Sequence, residues 1–206
     1  MTPRLVLATA NAAKAGELRT LLDSLGYEIR TARDYPDLRL PPEGDQSYAD
    51  NARAKARAAV AATRAVALGD DSGLEVEALG GRPGVASARY GGPGLTDGER
   101  VERLLADVAG APSRAARFRC VLALAAPWGE EAVVEGIVEG VLADRPRGAG
   151  GFGYDPIFVV PALGRTLAEL SPADKHRLSH RGRAVAAARP ILERWRGRAA
   201  AGGGGS

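Results

Sequence analysis

Val66-Ala67-Leu68-Gly69-Asp70-Asp71-Ser72-Gly73-Leu74 is the stretch on which both the fold and the chemistry of this chain turn. Val66 to Gly69 is a short apolar run, as expected of a buried strand. Asp, Ser and Gly are turn residues, so local preference places Asp70 and Asp71 at the strand's end. Leu74 to Leu79, followed by Gly80 and Gly81, predicts another strand and a turn. Two adjacent carboxylates at a strand end suit a hard cation such as magnesium. A carboxylate beside such a metal can orient or deprotonate a water molecule. The same four residues also fit an ordinary capped turn, and both readings stand at this point.

Working outward, Leu5 to Ala8 reads as a buried strand. Asn11 caps a helix that places Leu18, Leu21, Leu22 and Leu25 on one face and ends at Gly26. Tyr27 to Thr31 predicts a second strand. Pro36 to Gln46 is a loop carrying Pro and acidic residues. Ser47 opens an Ala-rich helix with Asp50 at the capping-box position. Thr96 and Glu99 form another capping box before Val101, Leu104, Leu105 and Val108. Arg117 to Ala125 and Ala132 to Leu142 read as a long hairpin. Ser171-Pro172-Ala173-Asp174 starts a helix, and Ser179 caps a final one reaching about Trp195. Mixed strands and helices give the class α/β with a mixed sheet. Residues 1–197 are expected to be one domain and 198–206 a flexible tail, in which Gly202 to Ser206 reads as a linker.

The chain has 206 residues, 45% hydrophobic and 26% charged, enough for one sizeable core or one domain with two lobes. No stretch approaches the roughly 20 apolar residues of a membrane span. No secretory signal is visible from Met1 to Ala10. The single cysteine, Cys120, fits a reducing cytosol, and its alternating apolar surroundings predict a buried thiol. A net charge of +3, with Arg and Glu interspersed, weakly favours an anionic ligand and gives little footprint for nucleic acid. Of 28 basic residues only Lys14, Lys55 and Lys175 are lysine. A compact point charge in place of arginine's planar fork fits those positions, and chance placement of three lysines fits them too.

Three further motifs carry chemistry. In Ala8-Thr9-Ala10-Asn11-Ala12-Ala13-Lys14 a strand gives way to a helix, where free N–H groups and the helix dipole attract anions. Lys14, in the first turn, opposes that dipole, a placement that makes sense if it faces a phosphate; an ordinary capped helix with an exposed lysine fits equally. In Gly148-Ala149-Gly150-Gly151-Phe152-Gly153-Tyr154-Asp155-Pro156 the glycines let backbone approach a ligand. Phe152 can stack on a base there, and Asp155 can accept hydrogen bonds from it. Lys175 and Ser179-His180-Arg181-Gly182-Arg183 gather donors at the start of the last helix. Glu43, in the loop before Ser47, is a distal metal-ligand candidate.

Taken in order, these pieces resemble the inosine triphosphate pyrophosphatase family. The matching stretches are Ala8-Thr9-x-Asn11-x-x-Lys14, Asp50-Asn51-Ala52-x-x-Lys55-Ala56, Asp70-Asp71-Ser72-Gly73-Leu74, Gly80-Gly81-x-Pro83-Gly84-Val85-x-Ser87-Ala88-Arg89-Tyr90, Gly150-Gly151-Phe152-Gly153-Tyr154-Asp155-Pro156, and Lys175 with Ser179-His180-Arg181-Gly182. They cover residues 4 to 195. Ala10, Asp50 and Gly69 depart from the usual Gly, Glu and small apolar residue without removing a functional group.

The resemblance implies a long curved mixed sheet flanked by helices, two lobes with the nucleotide in a central cleft, and a homodimer. It implies that Thr9, Ala10, Asn11, Ala12, Ala13 and Lys14, with Lys55, Ser72 and Lys175, hold the triphosphate. Glu43 and Asp71, with Asp70 close by, would hold Mg2+, and Asp71 would be the proton acceptor. Phe152, Gly153, Tyr154 and Asp155, with His180 and Arg181, would contact the base. The expected activity is cytoplasmic, Mg-dependent hydrolysis of ITP/dITP and XTP/dXTP to the monophosphate and pyrophosphate, with neither nucleic acid nor membrane as partner. The alternatives are a pyrophosphatase for other modified nucleotides, and a non-enzymatic nucleotide sensor or nucleic-acid-binding protein.

Overall fold

The computed structural model describes residues 2–45 and 47–202. Seven strands form one mixed sheet: β1 (Arg4–Ala8), β2 (Glu28–Thr31), β3 (Val66–Val76), β4 (Ala115–Ala125), β5 (Glu131–Leu142), β6 (Phe158–Val160) and β7 (Arg165–Thr166). Their order is β2-β1-β3-β4-β5-β6-β7. β1 runs parallel to β2 and β3, while β6 is antiparallel to β5 and β7. The helices are α1 (Ala12–Leu22), α2 (Tyr48–Thr63), α3 (Asp97–Asp107), α4 (Pro172–Leu178) and α5 (His180–Gly202). No helix among the described residues is long and apolar enough to cross a membrane.

The chain divides into two compact units. The first holds the residues up to Asp71, Cys120–Gly136 and the chain from Arg183 on; the second holds Ser72–Arg119 and Ile137–Gly182. β3 leaves the first unit between Asp71 and Ser72.

In the first unit, alternation along β1 and β3 sorts side chains onto two faces. Leu5, Leu7, Val66 and Leu68 pack with Leu18 and Leu22 of α1, Cys120 and Leu122 of β4, and Val185, Leu192 and Trp195 of α5. Val6, Ala8 and Ala67 pack with Ala59 of α2 and Leu38. In the second unit, Leu74, Phe118, Val138, Leu142 and Phe158 pack with Val101 and Leu104 of α3 and with Val108 at its C-terminal cap.

The expected caps form. Asn11 Oδ1 accepts the Ala13 and Lys14 N–H groups. Ser47 Oγ accepts the Asp50 N–H, and Thr96 makes a reciprocal box with Glu99. Ser171 Oγ accepts the Asp174 N–H, and Gly26 adopts the left-handed conformation after α1.

Two expectations change. The strand does not stop at Asp70: β3 is continuous from Val66 to Val76, with Asp70 to Gly73 in its interior. Turn preference gives way because β4 borders the strand here and side chains from other elements partner the carboxylates. The last helix runs past Trp195 to Gly202, so the tail expected from 198 begins as helix. Arg196 donates to the Leu25 carbonyl at 3.0 Å, Arg198 lies 4.9 Å over the Trp128 ring and pairs with Glu130, and Ala199 packs against the core. Of the expected linker, Gly203 to Ser206 lie outside the described residues.

Glycine at position 69 has a packing reason. A Cβ there would lie 2.1 Å from the backbone oxygen of Ala52 on α2. Helix and strand backbones meet too closely for a methyl group. Gly69→Ala is expected to cost about 1–3 kcal/mol through overpacking, read as a lower urea midpoint at unchanged m-value.

Candidate active site

β1 pairs with β3 as far as Ala8 opposite Gly69, and there β1 ends. Beyond that point the edge of β3 on the β1 side is open to side chains. Lys55 Nζ donates to the Asp70 carbonyl at 2.5 Å. In open α/β sheets, ligands characteristically bind at the carboxyl ends of parallel strands.

Strand alternation separates the two aspartates. Asp70 follows Leu68 onto the α1 face. Its Oδ1 lies 2.8 Å from Lys14 Nζ, and its Oδ2 lies 3.5 Å from the Cys120 thiol, which donates to it. Asp71 follows Gly69 onto the α2 face. Its Oδ2 accepts from Asn51 Nδ2 at 2.8 Å, and its Oδ1 lies 3.8 Å from Lys55 Nζ. Lys55 Nζ also meets Glu43 Oε1 at 2.7 Å. Both aspartates and Lys55 are buried. The adjacency that suggested a chelating pair yields two carboxylates with different partners, and Glu43 joins the Asp71 side through Lys55.

Burial disfavours charge, and this is the main reason the Asp71 carboxyl is pushed above the usual carboxylate range. Lys55 and the Asn51 amide oppose that rise, and Glu43 adds to it. The group as a whole sets Glu43, Asp70 and Asp71 against Lys14 and Lys55, which leaves one net negative charge. Among the described residues no three Asp, Glu, His or Cys side chains form a ready-made metal cage. Two hard carboxylate donors with the remaining positions open are nonetheless what Mg2+ commonly uses when substrate phosphates complete its shell. Glu43 and Asp71 fit such an ion.

The Thr9–Lys14 turn is partly self-satisfied, since Asn11 takes two of the N–H groups expected to be free and Thr9 Oγ1 takes the Asn11 N–H at 3.2 Å. A cavity of about 240 Å³ lies beside it, lined in part by Thr9, Ala10, Asn11, Ala12, Arg19 and Arg33. The two arginines belong to none of the sequence motifs.

In the second unit, Arg181 Nη2 donates to Ser72 Oγ at 2.9 Å. Asp155 Oδ2 accepts from Lys175 Nζ at 2.6 Å and from the Phe152 N–H at 2.9 Å. The Phe152 ring has Lys175 Nζ 4.9 Å and Arg181 Cζ 5.6 Å from its centroid. Gly151, at φ +73°, admits no side chain, because its Cβ would sit 2.1 Å from Asp155 Oδ2. Gly153 N–H donates to Asp97 Oδ2 at 2.8 Å, and the Tyr154 hydroxyl to the Ser87 carbonyl at 2.9 Å. His180 stacks on Phe118 with centroids 4.6 Å apart. The glycine-rich loop and the start of α5 thus form one cationic and aromatic set within this unit, with Ser72 beside it.

A family model described as the Ham1 family matches residues 5–191. The chain belongs to the Ham1 family. Among Ham1 relatives, a dITP/XTP pyrophosphatase of Gloeobacter violaceus is 52% identical over 88% of this chain and 90% of its own length. One of Geobacillus kaustophilus is 45% identical over the same shares. The solved HAM1 protein of Coxiella burnetii superposes with a TM-score of 0.84 at 39% identity, covering 93% of this chain and 98% of that one. A structure described as a nucleoside-triphosphatase / dITP/XTP pyrophosphatase, from Mycobacterium abscessus, gives 0.73 at 44% identity, over 92% and 99%. The mixed sheet flanked by helices is thus that of solved Ham1 structures.

The raised Asp71 pKa carries a sign for stability. Between the ordinary carboxylate value and the raised one, the folded chain keeps a proton that the unfolded chain has released. Stability therefore falls as pH rises through that window, and the cost is complete above it. Asp71→Asn is expected to raise the Tm at pH 7, without metal or nucleotide, by about 2–4 °C for each kcal/mol relieved. The gain should shrink at pH 4. A Tm at pH 7 below that of the unaltered protein would contradict this account of the burial.

Proposed function

We propose that this chain is a magnesium-dependent nucleoside triphosphate pyrophosphatase that hydrolyses ITP/dITP and XTP/dXTP to the monophosphate and pyrophosphate. One observation carries the reading: Lys55 Nζ is held among Glu43, Asp71 and the Asp70 carbonyl at the open edge of β3. Two carboxylates there face one ammonium, with Asp71 and Lys55 buried and Glu43 partly exposed, which leaves the group one positive charge short. The dITP/XTP pyrophosphatase activity named for relatives at 45% and 52% identity supports the choice of reaction.

Mg2+ held by Glu43 and Asp71 would neutralise charge on the phosphate oxygens and align them for in-line displacement. The protein's residues do the rest. Water attacks the α-phosphorus and gives its proton to Asp71. Burial lifts the proton affinity of Asp71 toward the range useful to a general base. The bond from the α-phosphorus to the bridging oxygen breaks, and pyrophosphate leaves with the electron pair. Lys14, Lys55, Ser72, Lys175 and the Thr9–Ala13 turn hold the phosphates and stabilise the charge that develops. Asp70, engaged by Lys14 and Cys120, fixes the Lys14 ammonium and is not assigned to the metal.

Phe152 through Asp155, with His180 and Arg181, receive the base. A donor set facing O6 accepts hypoxanthine and xanthine, whereas the 6-amino group of adenine leaves it unpaired. Such a site can discriminate by up to about 10⁴-fold. Residues 1–197 act as one catalytic domain, and the family resemblance supports a homodimer. Cys120, which is in no disulfide, suits the cytoplasm.

The deciding assay is pyrophosphate release from ITP, XTP, ATP, dUTP and 5-methyl-UTP, with magnesium and with EDTA. ITP and XTP are expected to turn over with magnesium alone. Asp71→Asn should lower kcat by about 10²–10⁴-fold with the fold intact. Equal turnover of the pyrimidines would transfer the activity to other modified nucleotides. No turnover of any nucleotide would leave a binding protein.

A further inference from the structure

Asn51 lies at the start of α2 and is buried, at 7% exposed. A buried carboxamide needs its hydrogen bonds met, and this one meets them on two separate segments. Its Nδ2 donates to Asp71 Oδ2 at 2.8 Å and to the Gly44 carbonyl at 3.0 Å. Its Oδ1 accepts the Gly44 N–H at 2.8 Å. Gly44 is the residue after Glu43. One side chain therefore clasps the peptide groups of the Glu43 loop and an oxygen of Asp71 at once.

The clasp has a chemical consequence. Glu43 sits in a stretch without helix or strand, so nothing in regular structure fixes its distance from β3. The amide of Asn51 makes a short hydrogen bond to the buried Asp71 carboxylate, whose other oxygen lies 3.8 Å from Lys55 Nζ. With Oδ2 held by the amide, Oδ1 is the oxygen left toward Lys55 and Glu43. Aspartate cannot make the same three bonds, because it has no N–H to donate to Asp71 or to the Gly44 carbonyl.

We infer that Asn51 is a positioning residue: it sets the separation of Glu43 and Asp71 and presents Asp71 Oδ1 to the divalent cation and the reacting water. This rests on the magnesium reading above and deepens it. Residues that orient metal ligands through hydrogen bonds commonly contribute 10–100-fold to metal affinity.

The test uses the full 206-residue chain without nucleotide. Magnesium affinity is measured by calorimetry, and amide exchange by NMR, for the unaltered protein and Asn51→Ala. The variant is expected to bind magnesium at least about tenfold more weakly. Its Gly44 amide should exchange at least about tenfold faster, with the amides inside α2 still protected. Unchanged magnesium affinity overturns the inference, and so does unchanged Gly44 protection. If Asn51→Ala loses protection throughout α2, Asn51→Gln carries the same comparison, since its carboxamide is displaced by one methylene. Failure of the pyrophosphatase reading shows separately, as absence of ITP hydrolysis by the unaltered protein even where both Asn51 effects are found.

Discussion

Two neighbouring aspartates in the interior of a strand can stay buried only if each finds a cation or a donor close by. An unpaired carboxylate away from water costs several kcal/mol. Asp70 and Asp71 face opposite sides of β3, so one lysine cannot serve both side chains. Lys14 on α1 answers Asp70, and Lys55 on α2 answers Asp71. The arrangement explains why lysine survives at these positions in a chain otherwise rich in arginine. A single ammonium fits a narrow space and meets several oxygens, as Lys55 does with Glu43, Asp71 and the Asp70 carbonyl.

The packing serves that requirement. α2 approaches β3 closely enough that Gly69 has no room for a side chain. This closeness lets the early residues of α2 reach the strand: Asn51 meets Asp71, and one turn later Lys55 reaches the same edge. The Asn11 cap aims α1 so that Lys14, in its first turn, meets Asp70. In the second unit the glycine at 151 plays a similar part, leaving room for Asp155 to hold both the Phe152 N–H and Lys175.

Much of this was legible in the sequence. The strand at Leu5, the caps at Asn11, Ser47, Thr96 and Ser171, and the long hairpin follow from periodicity and capping chemistry. Asp70 to Gly73 was not legible as strand, because its residue types favour turns and the partners that overrule them are distant in sequence. Cys120 was expected to be buried among apolar residues; the fold also brings Asp70, fifty residues away, to its sulfur. Asn51 stood inside a recognised motif, yet its type and position carry no sign of the clasp, which depends on where the Glu43 loop runs. Arg33 borders the turn cavity because β2 lies beside β1, and Arg19 borders it from α1, the helix that the turn opens.

The opposite facing of the two aspartates gives this site a parity. A strand residue keeps its side of the sheet only while the count of residues before it is preserved. Inserting or deleting one residue between Val66 and Asp70 would exchange the neighbours of the two carboxylates, sending one toward α2 and the other toward α1. A substitution in this segment disturbs the neighbours of one side chain, whereas a change in its length rewires both faces together. The chemistry is written in the numbering of β3 as much as in its composition.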